Sequence, residues 1–122
     1  ALEYANRSNA LIEKHASRTM YGRSLISKGL ILHSLSDRFR ALEVFQEALG
    51  ILIDEKDSTR VALAYLNIGG CYAALEDHNK ALDSYRQIFD FVPPEDQIAP
   101  FANNNIGYSY FVLGEYEKAI EY

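Results

Sequence analysis

The sequence predicts an all-α fold, a stack of helix pairs, on three observations: a repeat of about forty residues, helical spacing of the apolar residues around it, and chain breakers where helices should end. Ala1-Leu2-Glu3, Ala41-Leu42-Glu43, Ala81-Leu82-Asp83 and Ala119-Ile120-Glu121 align at spacings of 40, 40 and 38. Gly29, Gly69 and Gly107 each stand twelve residues before the last three of those alanines. Self-similarity at a fixed period marks an architecture in which each unit buries its apolar face against the next.

Taken in order, residues 1–16 give one helix, with Ala1, Ala5 and Ser8 as a weak small-residue stripe, the second helix of a partial unit. Residues 17–56 form a first full unit: Leu25, Gly29 and Leu32 on one helix, a break at Ser36-Asp37, then Leu42, Phe45, Ala48, Leu49 and Leu52 on the next. Residues 57–95 repeat it, with Tyr65, Gly69 and Tyr72, a break at Asp77-His78-Asn79, then Leu82, Tyr85, Ile88 and Phe89. Residues 96–122 start a third unit with Gly107 and Tyr110, a break at Gly114, and Ala119. The apolar spacing is i, i+3, i+4, i+7, one face of a helix. Asp57-Ser58 and Pro93-Pro94-Glu95-Asp96 separate the units, and Pro100 suits a first helical turn, where its missing N–H costs little. Glycine inside a helix costs about 1 kcal/mol relative to alanine, so three at one phase imply a close approach of the paired helices. Neither end carries a polar capping helix, and the pattern is that expected of a slice of a longer array.

Composition narrows the function. At 122 residues and 13.8 kDa the chain is one domain at most. Its net charge of −5 and pI near 5.1 repel a phosphate backbone, so no nucleic-acid partner is expected. Residues 1–40 hold seven Lys/Arg against three Asp/Glu, a net +4, which leaves −9 for residues 41–122. The single cysteine, Cys71, forms no internal disulfide and suits a reducing compartment. No run of about 18 apolar residues and no signal peptide are present, so no membrane partner is expected. The expected location is the cytoplasm, or the periplasm if a longer chain carries an upstream signal.

Catalysis finds no support. His15, His33 and His78 lie on separate elements without metal-ligand spacing, and His78 reads as turn chemistry. Cys71 falls within a helix with no base predicted beside it, and Gly69-Gly70 follows no strand. No catalytic, cofactor or metal residue is assigned.

A helix pair with these residues resembles the tetratricopeptide repeat. That pattern places a bulky residue, a glycine four later, an aromatic three after that, a small residue twelve after the glycine, an aromatic four further on, and a closing proline. Tyr65, Gly69, Tyr72, Ala81, Tyr85 and Pro93 match best. Leu25, Gly29, Leu32, Ala41 and Phe45 match in the first unit, and Ile106, Gly107, Tyr110, Gly114 and Ala119 in the third. Lys28, Glu76, Ile53 and Asn103 depart from it, and the period is longer than usual. In this the chain is similar to the longer repeats of kinesin light chains and of bacterial signalling regulators.

The resemblance implies a right-handed α-solenoid of antiparallel helix pairs, about seven helices here, with a groove lined by the first helix of each unit. The groove positions it implies are Ile26 and Leu30, then Leu63, Leu66 and Asn67, then Phe101, Asn104, Asn105, Tyr108 and Phe111. Asn67 and Asn105 share a phase two residues before their glycine, and a carboxamide both donates and accepts, as pairing to a peptide backbone requires. The groove lacks the basic set that clamps a terminal carboxylate in chaperone-binding relatives. The expected function is a non-catalytic protein- or peptide-binding module. The alternatives are a sensing domain of a bacterial diguanylate cyclase, histidine kinase or transcriptional regulator, and a scaffold that self-associates head to tail, basic start against acidic end.

Overall fold

A computed structural model describes the backbone of residues 2–122 and the side chains of residue 14 and of residues 16–122. Ala1 and the side chains of residues 2–13 and 15, among them Ala5, Ser8 and His15, lie outside the described residues. Among the described residues six α-helices follow one another: α1 (Leu2–Ser34), α2 (Arg38–Asp54), α3 (Ser58–Ala74), α4 (His78–Gln87), α5 (Ala99–Val112) and α6 (Tyr116–Ile120). A 3₁₀ turn, Ile88–Asp90, prolongs α4, and no strand occurs among the described residues.

The helix count falls short of the expected seven because the break expected near residue 16 is absent and α1 runs unbroken for 33 residues. The reason lies in the caps. In this chain α2, α3 and α4 each begin behind an aspartate, and residues 2–34 contain neither aspartate nor proline.

Those caps repeat closely. The carboxylates of Asp37, Asp57 and Asp77 accept from the backbone N–H of Arg40, Arg60 and Lys80 at 3.4, 3.3 and 3.2 Å. Each also pairs with the side chain of that residue, at 3.6, 3.0 and 3.7 Å. Just before each cap the preceding helix closes on a residue with positive φ: Ser36 (64°), Lys56 (57°) and Glu76 (65°). There Asp37, Asp57 and Asp77 donate their N–H groups to Leu32, Leu52 and Tyr72, five residues back. Gly114 (80°) and Glu115 repeat the backbone turn before α6, without the side-chain cap.

Two cores result. The first sets Ile26, Phe45 and Leu52 of α1 and α2 against Val61, Ile68 and Cys71 of α3. The second sets Ala62, Leu82, Tyr85 and Ile88 of α3, α4 and the 3₁₀ turn against Ile106 and Tyr110 of α5. Helix α3 therefore serves both cores, which is why its sequence is apolar nearly all round. The glycine lattice has a sharper cause than the small alanines facing it. A Cβ on Gly29 or Gly69 would stand 2.7 Å from Cδ1 of Phe45 or of Tyr85, so each glycine makes room for the ring four residues after the repeat alanine.

Candidate functional site

Helices α3 and α5 run side by side and leave two clefts between them. One, of about 420 Å³, brings together Leu63 and Leu66 of α3 with Ile98 and Phe101 at the start of α5, beside Thr59 and Asp96. Phe101 is 65% exposed there, an unusual position for a phenylalanine without a partner. The other, of about 580 Å³, lies at the opposite ends of the two helices, between Ala73 and Ala74 on one side and Tyr108 and Val112 on the other, with Glu76 and His78 at its edge. Along α3 and α5 the half-buried amides of Asn67 and Asn105 stand between these clefts in sequence. Nδ2 of Asn67 is enclosed and has no hydrogen-bond partner. A buried donor left unpaired costs about 1–3 kcal/mol, so this amide loses little by turning toward an acceptor.

The structure sorts the remaining sequence-derived positions. Leu30 is exposed on α1. Ile26 is not open to a ligand, being 6% exposed within the first core, because its phase faces the following helix pair. Asn104, Tyr108 and Phe111 line a third cleft of about 600 Å³ on the far side of α5, with Tyr116, Ile120 and Tyr122 from the α6 end.

Several polar contacts escaped the sequence reading. His78 opens α4 buried, sharing a 3.2 Å hydrogen bond with the hydroxyl of Ser109 on α5, its ring edge-on to Tyr108 at 6.2 Å. Cys71 does have a neighbouring base: His33 Nδ1 lies 3.5 Å from its Sγ. Burial nevertheless pushes the thiol up to about 11, with Arg38 opposing, so at neutral pH it offers no thiolate. The Tyr110 hydroxyl accepts from the Arg86 guanidinium, and Lys118 stands 5.5 Å from the same ring. Cys71 and Ser109 share a repeat phase, 38 residues apart, but their histidines do not, since His33 lies on the first helix of its pair and His78 on the second, so the register alone carried no signal for either contact.

The stacked helix pairs, glycine–ring contacts and shared cores define a helical-repeat solenoid. Two family models, both described as tetratricopeptide repeat, match residues 18–92 and 102–122. The first spans more than half of the chain, and the protein belongs to the tetratricopeptide-repeat family. Its fold is similar to the crystal structure of the TPR domain of Arabidopsis FLU, with a TM-score of 0.81 at 21% identity over 85% of this chain and 89% of that one. It is also similar to the crystal structure of MamA, with a TM-score of 0.70 at 21% identity over 84% of this chain and 54% of that one. Repeats of this family point to a protein-interaction module and are typically non-catalytic scaffolds. Among the described residues no helix is long and apolar enough to cross a membrane.

Proposed function

We propose that the face shared by α3 and α5 receives an extended segment of a partner protein, and that the module performs no chemistry of its own. The observation that carries this reading is the unpaired Nδ2 of Asn67, standing in register with Asn105 between one cleft with apolar walls and one that mixes apolar walls with Glu76 and His78. An extended peptide repeats its side chains on one face about every 7 Å and presents carbonyls between them. Apolar side chains would fill the clefts, at Leu63, Leu66 and Phe101 on one side and at Tyr108 on the other, while the two carboxamides pair with the backbone between. Such pairing fixes the path of a peptide whatever its sequence, and the clefts select its side chains.

The test is direct. Peptides selected from a random display library against the protein should lose about 5–30-fold in affinity on Asn67→Ala, the equivalent of about 1–2 kcal/mol for a hydrogen bond, with the helical circular-dichroism signal and melting temperature retained. Unchanged affinity for every selected peptide, or selection of peptides that still bind after Phe101→Ala and Leu63→Ala, would remove the α3–α5 face from consideration.

A further inference from the structure

Helices α2 and α4 open in the same register, on Arg38 and His78, each behind its aspartate cap and each beside the first helix of the next pair. The two junctions dispose of that side chain differently. His78 is satisfied, sharing a hydrogen bond with Ser109 and lying edge-on to the Tyr108 ring. At the earlier junction the equivalents of Ser109 and Tyr108, thirty-eight residues back, are Cys71 and Gly70. Arg38 lies near enough to Cys71 for its charge to act on the thiol. Yet this partly buried residue makes no hydrogen bond or ion pair among the described residues, and its Nε is enclosed without a partner. Arg60, the other partly buried arginine among the described residues, pairs with Asp57 at 3.0 Å. An enclosed donor on a charged group is costly when unpaired, so Arg38 does not serve the stability of the free chain.

His33 completes the surroundings. Its Nδ1 lies 3.5 Å from Cys71 Sγ, and burial holds Cys71 as the thiol. With the thiol as donor to Nδ1, the ring proton falls on Nε2, which has no acceptor among the described residues. Two donors therefore flank Cys71 with nothing to receive them. Room for an acceptor is present as well, because a Cβ on Gly70 would meet nothing within 4 Å where the later junction has the Tyr108 ring. Gly70 stands one turn after Asn67 on α3, so this space continues the face that receives the partner segment.

We propose that Arg38 and His33 form a subsite for an acidic side chain, and that the partner segment carries an aspartate or glutamate there. The proposal rests on the reading of α3 and α5 as the receiving face and deepens it by naming one residue of the partner. A carboxylate accepts two hydrogen bonds from a guanidinium in a fork, Nε among them, and keeps lone pairs for a third donor such as His33 Nε2. The chain's own nearest candidate in sequence, Asp37, is engaged with Arg40. One junction later the cleft is edged by Glu76, which repels an acid, so the acidic residue also marks which end of the segment lies over α1.

Peptides selected from the display library, resynthesised with amidated C-termini so that a carboxylate comes only from a side chain, test this by calorimetry against the unaltered protein and Arg38→Met. They should share an aspartate or glutamate at one position. Replacing that residue by asparagine or glutamine should weaken binding to the unaltered protein about 10–100-fold, the range of a charge-assisted hydrogen bond. Binding to Arg38→Met, already weakened by a similar factor, should not change further. The free Arg38→Met protein should melt no lower than the unaltered chain, because the change removes an unpaired charge and breaks no bond. Selected peptides with no acidic position, an acid whose replacement costs the same in both proteins, or a lowered melting temperature of free Arg38→Met would each overturn the inference. The receiving face is judged separately. Peptides that lose affinity on Asn67→Ala but not on Arg38→Met would keep that face and remove the subsite, and peptides that lose it on Arg38→Met but not on Asn67→Ala would do the reverse.

Discussion

Gly69 and Gly70 are neighbours with opposite burdens. A Cβ on Gly69 would press on the Tyr85 ring, which is only 2% exposed and has nowhere to swing, whereas a Cβ on Gly70 meets nothing within 4 Å. Gly69→Ala should therefore cost about 1–3 kcal/mol by overpacking. Gly70→Ala should stabilise α3 by up to about 1 kcal/mol, since alanine is the better helix former. Urea denaturation of the pair checks both signs. The Tyr85 phenol and the Cys71 thiol give a second prediction. Burial pushes Cys71 up from 9.0 to about 11 and Tyr85 up from 10.0 to about 12, with Cys71 adding to the latter. In the unfolded chain both groups ionise earlier than in the fold, so their contribution leaves stability unchanged below about pH 9 and lowers it as pH rises towards 12. Cys71→Ala should remove the earlier part of that fall, between 9 and about 11, in denaturation midpoints followed against pH. Ordinary thiol reagents at pH 8 should label Cys71 only after unfolding.

Helices α2, α3 and α4 are introduced by the same short device, a non-glycine residue of positive φ followed by an aspartate cap, and each copy stores strain at that residue. Glu76 holds φ at 65°, where Gly114 occupies the equivalent turn before α6 without a Cβ to strain it. Glu76→Gly should raise stability by about 0.5–1 kcal/mol, the left-handed penalty of an L-residue less the entropy glycine adds to the unfolded chain. A lowered melting temperature would mean that the Glu76 side chain stabilises the turn in some other way. The same punctuation explains how much of the fold could be read beforehand. Wherever an aspartate or glycine sits at the break, helix order was legible from periodicity alone. The division expected near residue 16 rested on repeat length without such a residue, and α1 runs through it. Of the site positions, Leu63, Leu66 and Phe101 meet around one cleft, as a shared phase on successive first helices implies. Ile26 misled because a phase fixes which way a side chain points but not what comes to cover it. The His33–Cys71 and His78–Ser109 contacts join residues 38 and 31 positions apart, and such pairs become visible only once the stacking of one helix pair on the next is known.

At the scale of the whole molecule, a stack in which each element touches only its neighbours has stability that varies along it. Helix α3 is held from both sides, by the first core and by the second, while α5 has only the second and α6 has no buried residue at all. Opening should therefore begin at the α6 end and travel inward, with α3 last. Hydrogen exchange should show amide protection falling from α3 through α5 to α6. Ile106→Ala sharpens the test, because Ile106 is 1% exposed and belongs to the second core alone. Truncating it should cost about 2–5 kcal/mol. If the two cores are separable, that loss appears as faster exchange in α5 and α6, with α1, α2 and the face of α3 toward them little changed. If the whole stack opens as one unit, protection drops equally from α1 to α6. The first outcome is expected, because α3, which is common to the two cores, keeps Val61, Ile68 and Cys71 in place when the second core is weakened.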